Sequence, residues 1–151
     1  MTNRVQLSQE EMTIVSLVAG LRRSESKTNN RKDNHGFKGE NAWDIEIEGA
    51  AAEMAYCKFR GKYWSASVNS FKDADCGINV QVRHTKLDNG SLIVREADND
   101  EHYYVLVTGL SPSLRIVGWI KGGDAKNKAF IKGPNNRAIA YFVPQNKLMT
   151  F

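Results

Sequence analysis

The segment Asp73-Ala-Asp-Cys-Gly-Ile-Asn-Val-Gln-Val-Arg-His-Thr85 decides how this chain is read. Ile78, Val80 and Val82 alternate with Asn79, Gln81, Arg83 and Thr85, the period of two that predicts a strand with one buried face. Its polar face carries Gln81 and Arg83, which project the same way. Asp75 stands just upstream, beyond Gly77, where the chain can turn. An acid followed by two polar groups one residue apart lets a sheet edge present a metal ligand and a cation to one phosphate. The rest of the chain is read for the missing parts.

Downstream, Lys86-Leu-Asp-Asn-Gly90 predicts a hairpin through its Asn-Gly, returning along Ser91–Arg95 with Leu92 and Val94 on one face. Ala97–Glu101 reads as an acidic turn, and the nearly continuous apolar run His102–Thr108 as a strand central in a sheet. Leu114–Ile120 predicts another strand, with Gly118 where a neighbour approaches closely. Lys121–Lys126 lacks the Walker spacing and reads as a plain loop opening a short helical turn. Ala138–Val143 is a last strand, closed by Pro144.

Upstream, Ser8 and Glu11 fit a capping box, and Met12, Val15, Val18 and Ala19 recur at helical spacing, predicting a helix from about Gln9 to Arg23. A second, alanine-rich helix is expected over Asp44–Phe59, stopped by Gly61, with Tyr63–Phe71 extended after it. Between the helices, residues 24–41 have almost no apolar content and read as a long polar loop. Helices first and strands later give an α+β fold: a mixed central sheet of about five strands with two N-terminal helices packed on it. Neither an internal repeat nor a linker divides residues 1–151, which suit a single domain.

With 41% hydrophobic and 25% charged residues, the composition is that of an ordinary globular protein, and a net charge of +4 only weakly favours a polyanionic partner. Cys57 and Cys76, the two cysteines, read as reduced thiols rather than a disulfide framework. The sequence holds no apolar run of membrane-spanning length, and Met1–Leu7 lacks the apolar core of a signal peptide, so an intracellular, cytoplasmic protein is expected. His35, His84 and His102 have no zinc spacing with the cysteines. His84, on the strand face opposite Gln81 and Arg83, reads as structural, and Trp43, Trp64 and Trp119 read as core.

The alanine-rich helix supplies a further acid. Glu53 shares a face with Gly49, Ala50, Tyr56 and Cys57, so it is expected to turn inward, where a carboxylate needs a metal or a cation. Glu48 lies about 140° around the helix and is not expected to serve the same ion. Gly49-Ala-Ala-Ala-Glu53 on a helix, then Asp75, then Gln81-Val-Arg83 on a strand resemble the PD-(D/E)XK nuclease superfamily, the restriction-endonuclease-like fold. Leu92–Arg95, Tyr104–Gly109, Val117–Ile120 and Tyr141–Gln145 look like its small phage-encoded or mobile-element members.

The resemblance implies a metal-dependent nuclease acting on DNA, in a bacterial or phage-infected cell. Its catalytic set would be Asp75, Gln81, Arg83 and Glu53, with Mg²⁺ or Mn²⁺ held by Asp75, Glu53 and Gln81. Asp73 is the alternative to Asp75. The metal would lower the pKa of the attacking water and screen the phosphate. The chain departs from the family's pattern at two positions. Gln81 stands where glutamate is usual and ligates without charge. Arg83 stands where lysine is usual and, staying protonated, can neutralise charge on the phosphate but cannot accept a proton. Arg22, Arg23, Arg31, Lys32, Lys58, Lys62, Lys72 and Lys86 are the candidate backbone contacts to nucleic acid. Such nucleases often act as homodimers to cut both strands. The rival readings are a nucleic-acid-binding protein that keeps the fold without catalysis and a phage-encoded inhibitor acting through the 24–41 loop.

Overall fold

The computed structural model describes residues 3–28, 40–66, 79–132 and 139–151. The elements are β1 (Arg4–Gln6), α1 (Gln9–Thr28), α2 (Glu40–Arg60), β2 (Val80–Thr85), β3 (Leu92–Arg95), β4 (Tyr103–Leu110), β5 (Ser113–Lys121), α3 (Gly122–Ala125), β6 (Ile131–Lys132) and β7 (Ala140–Val143). Among the described residues the strands form two sheets, one ordered β1-β5-β4-β2 and one ordered β3-β7-β6. In the first, β1 and β4 run antiparallel to β5 while β2 runs parallel to β4, so the sheet is mixed. The architecture is α+β.

Helix α1 starts where the capping box places it. The Ser8 amide donates to Glu11 Oε1 at 2.8 Å and the Glu11 amide to Ser8 Oγ at 3.1 Å. Lys58 of α2 also donates to Glu11 Oε1 at 2.8 Å and to the Gln6 carbonyl at 2.9 Å, tying the two helices to β1. Ser8→Ala should lower stability by about 1 kcal/mol, measured by urea denaturation. The Lys58 ammonium, and then the Ser8 amide, hold the Glu11 carboxyl below the usual carboxylate range. Stability from this contact is complete above the unfolded carboxylate pKa, about 4.3, and is lost as pH falls through the lower folded value. Lys58→Met should therefore flatten the acid limb of the stability curve below about pH 4 and leave its neutral shape unchanged.

Helix α2 is buried nearly all round. Ala50, Ala51, Ala52, Glu53, Ala55, Tyr56 and Cys57 are all buried, which is why the sequence gives small residues on every side. One face meets the sheet and another meets α1. Together α1, α2 and β1 build a core with Val105, Val107, Leu114 and Ile116, joined by Val80 and Val82 of β2. The opposite face of the four-stranded sheet, through Tyr104, Leu106 and Ile120, meets Leu92, Val94 and Val143 of the second sheet. The central strand is β4, with residues 104–108 buried, as its apolar run predicts.

The expected β2–β3 hairpin is not formed. Gly90 closes a tight turn on the Leu87 carbonyl at 3.0 Å, but β3 then leaves β2 and pairs antiparallel with β7. Two effects favour that path. Leu92 and Val94 are fully buried against Tyr104 and Leu106, so β3 lies over the sheet instead of extending it. Gln145 then grips the Asp88 carbonyl at 2.7 Å and the Gly90 carbonyl at 3.0 Å, fixing the redirected turn. Among the described residues, the single sheet of about five strands is thus corrected to one of four and one of three.

Other expectations fare better. At Gly118 a Cβ would fall 2.5 Å from the Met149 carbonyl, because the C-terminal segment pairs with Trp119 there. The helices run longer than their periodicity predicts: α1 reaches Thr28 and α2 begins at Glu40, so the 24–41 loop is partly helical and its residues 29–39 lie outside the described ones. Of Tyr63–Phe71 only residues 63–66 are described, and none is in a strand. Trp64 is buried as expected, whereas Trp43 is 44% exposed, resting against Gly20. Among the described residues, no helix is long and apolar enough to cross a membrane.

Candidate functional site

The Gln81–Arg83 alternation does what its period demands. Val80 and Val82 face the helices, and Gln81 and Arg83 face the other way, next to Tyr104 and Leu106 in parallel register on β4. There they line a cleft of about 260 Å³ with Ala97, Asp98, Asn99, His102 and Tyr104. Asp98 Oδ1 pairs with an Arg83 guanidinium nitrogen at 3.0 Å, and its Oδ2 accepts from the Arg95 amide at 2.7 Å. The guanidinium lies over the Tyr104 ring, 5.1 Å from its centroid. Gln81 Nε2 is 3.5 Å from His102 Nδ1. Arg83 Nε is buried without a hydrogen-bond acceptor among the described residues.

The outer wall of the cleft is the turn 96–102, and it is fixed at several points. Lys126, from the end of α3, reaches the Glu96 carbonyl at 2.8 Å, the Asp98 carbonyl, and Asp100 Oδ1 at 2.6 Å. Glu96 accepts from the Tyr141 hydroxyl at 2.6 Å, and Glu101 pairs with Lys121 at 3.2 Å. The acids of this turn therefore each have a partner, which makes the wall stiff rather than strongly anionic. Burial pushes the Tyr104 phenol up, with Asp98 adding to it, so the hydroxyl stays protonated and donates to the Asn99 carbonyl at 3.2 Å.

Glu53 is elsewhere. Its two oxygens take both ends of the Arg22 guanidinium at 2.8 and 2.9 Å, and Oε1 accepts from the Trp64 indole at 3.3 Å. This pair joins α1 to α2, on the helical side of the sheet, while Gln81 and Arg83 occupy its other side. The expected convergence of Glu53 with Gln81 and Arg83 is not formed. The physical reason is that a cation of the chain itself, Arg22, supplies the partner a buried carboxylate requires. Glu48 is the α2 acid that faces the sheet. It accepts from the Ser111 amide at 2.9 Å and the Ser111 hydroxyl at 2.8 Å, with His84 Nε2 4.0 Å away. His84 Nε2 donates to the Gly109 carbonyl, 2.7 Å distant, on the face opposite Gln81.

The proposed backbone contacts divide as follows. Arg22 is bound to Glu53, and Lys58 to Glu11 and Gln6. Arg23 is half-buried, and Lys62 and Lys86 are exposed. Arg31, Lys32, Lys72, Asp73, Asp75 and Cys76 lie outside the described residues; Cys57 is buried. Among the described residues no three His, Cys, Asp or Glu side chains gather where they could hold a metal. The described donors thus do not fit the implied Mg²⁺ site: Glu53 is turned to Arg22, and Gln81 offers only a neutral oxygen.

Sequence reasoning missed Asp98, Asn99, His102 and Tyr104. They reach Gln81 only because β2 pairs with β4 in parallel, a long-range pairing that no local signal encodes. None of the protein-family models, curated protein sequences or solved structures compared with the chain gives a match.

Proposed function

We propose that this protein binds nucleic acid, DNA first among the candidates, at the Gln81–Arg83 cleft, on a scaffold related to restriction-endonuclease-like folds. One observation carries the reading: Gln81 and Arg83 stand side by side in an open polar cleft, joined there by Asn99 and His102. A guanidinium, two amides and an imidazole are groups that read phosphates and base edges. The net charge of +4 favours a polyanion in the same direction, weakly. The Glu53–Arg22 pair argues against a metal centre built on the helix acid.

A second reading, metal-dependent hydrolysis of DNA phosphodiesters, is favoured by the Gln81-x-Arg83 spacing on a strand preceded in sequence by Asp75. It would need Asp75, or Asp73, to bring the charge that Glu53 does not. Gel shifts at two salt concentrations, run beside cleavage of plasmid and single-stranded DNA with Mg²⁺, Mn²⁺ or EDTA, separate the two. Salt-sensitive binding without cleavage is the expected result. Metal-dependent cleavage abolished by Asp75→Ala would establish the second reading, and failure to bind or cut would refute both.

A further inference from the structure

The chemistry of the cleft says which part of a nucleic acid it accepts, given the reading that nucleic acid is held there. Among the described residues that line it, Arg83 is the Lys or Arg side chain, and Asp98 pairs with it at 3.0 Å, so a phosphate gains little net attraction. The next acids of the wall, Asp100 and Glu101, are paired in turn with Lys126 at 2.6 Å and Lys121 at 3.2 Å, so they add no unpaired charge of either sign. What remains is hydrogen-bonding and flat. Gln81 and Asn99 are amides, the groups that pair with base edges. Asn99, which lines the cleft, accepts from the Glu101 amide at 2.8 Å through Oδ1, so its Nδ2 is the end of the amide left to donate. Arg83 Nε is a buried donor lacking an acceptor among the described residues.

The guanidinium is also held as a platform. Tyr104 supports it from one side at 5.1 Å, and Asp98 fixes its edge. Guanidinium planes and aromatic rings are the surfaces on which unstacked bases lie. The cleft, at about 260 Å³, falls below the roughly 300–1,000 Å³ of sites for drug-sized ligands, so it suits one ring system.

From these observations we infer that the cleft takes a single unpaired nucleobase, stacked on Arg83 and hydrogen-bonded by Gln81 and Asn99. Base edges in a duplex are already paired and stacked, so the protein prefers single-stranded or unpaired nucleic acid.

The test compares three probes by fluorescence anisotropy with the full chain: a labelled single strand, the duplex made from it, and the same strand with abasic positions throughout its centre. The single strand should bind at least about tenfold more tightly than the duplex, and the abasic strand should fall to the duplex level. Gln81→Leu, which keeps the volume, should lose about tenfold on the intact strand and nothing on the abasic one. Should that variant not fold, Asn99→Ala carries the same expectation. Equal, salt-sensitive binding of all three probes would overturn the base pocket and leave the nucleic-acid reading standing. Binding of none would overturn both.

Discussion

Arg22→Met should lower folding stability by about 3–5 kcal/mol, because it strands Glu53 as an unpaired charge between two helices. Both guanidinium ends meet Glu53, at 2.8 and 2.9 Å, and the side chains are 17% and 11% exposed, so water can replace little of what is lost. The Trp64 indole at 3.3 Å would remain as a single neutral donor. Substituting both partners, Arg22→Met with Glu53→Met, should recover most of that loss, since an apolar pair of similar volume leaves no buried charge. Urea denaturation of the single and double variants measures the difference. The same pair of experiments separates a structural glutamate from a catalytic one. A structural Glu53 predicts that the double variant regains stability and binds nucleic acid as the parent does. If Glu53 instead held a metal for hydrolysis, the double variant would be folded and dead.

Gly122→Ala should reduce stability by about 1–3 kcal/mol and open the cleft as it does so. An added Cβ would fall 2.3 Å from the Asn99 carbonyl, 3.0 Å from the Tyr104 ring and 3.1 Å from the Asp100 Cα. Two of these neighbours are backbone of the cleft wall, which cannot turn aside as a flexible side chain would. Relief requires the 99–100 segment to move outward, carrying the Asn99 side chain away from Gln81. Gly123→Ala is the control, because its Cβ would meet Asp100 only at ordinary contact distances, 3.6 and 3.7 Å. Single-strand binding should drop about tenfold or more for Gly122→Ala and stay within about twofold for Gly123→Ala.

What the sequence carried was local. The Ser8–Glu11 box, the strand phase that puts Val82 inward and Arg83 outward, the buried run in β4 and the close approach at Gly118 are each set by residues near one another in the chain. The inward turn of Glu53 was legible too, since its helix face carries small and apolar neighbours. Its partner was not. Any cation within reach would satisfy a buried carboxylate, and Arg22 is 31 residues away in sequence. The Asn89-Gly90 signal predicted a turn correctly and a hairpin wrongly, because turn chemistry fixes the reversal but not the strand that follows. Leu92 and Val94 are buried over the sheet, against Tyr104, Leu106 and Val143, instead of beside β2.

The cleft shows the same limit from the other side. Gln81 and Arg83 came from the strand pattern, while Asp98 and Asn99 belong to a turn that reads as merely acidic, and His102 reads as the opening of the apolar strand after it. Only the parallel pairing of β2 with β4 brings that turn across Arg83, and Lys126 from a third element then holds it there.

Amide chemical shifts of the isotopically labelled protein, followed as a single-stranded oligonucleotide is added, test the central claim most directly. Shifts concentrated at Gln81, Arg83, Asp98, Asn99 and His102, with the amides around Arg22 and Glu53 unmoved, are the predicted result. Shifts centred on the α1–α2 pair, with the β2 edge and the 96–102 turn silent, would contradict it.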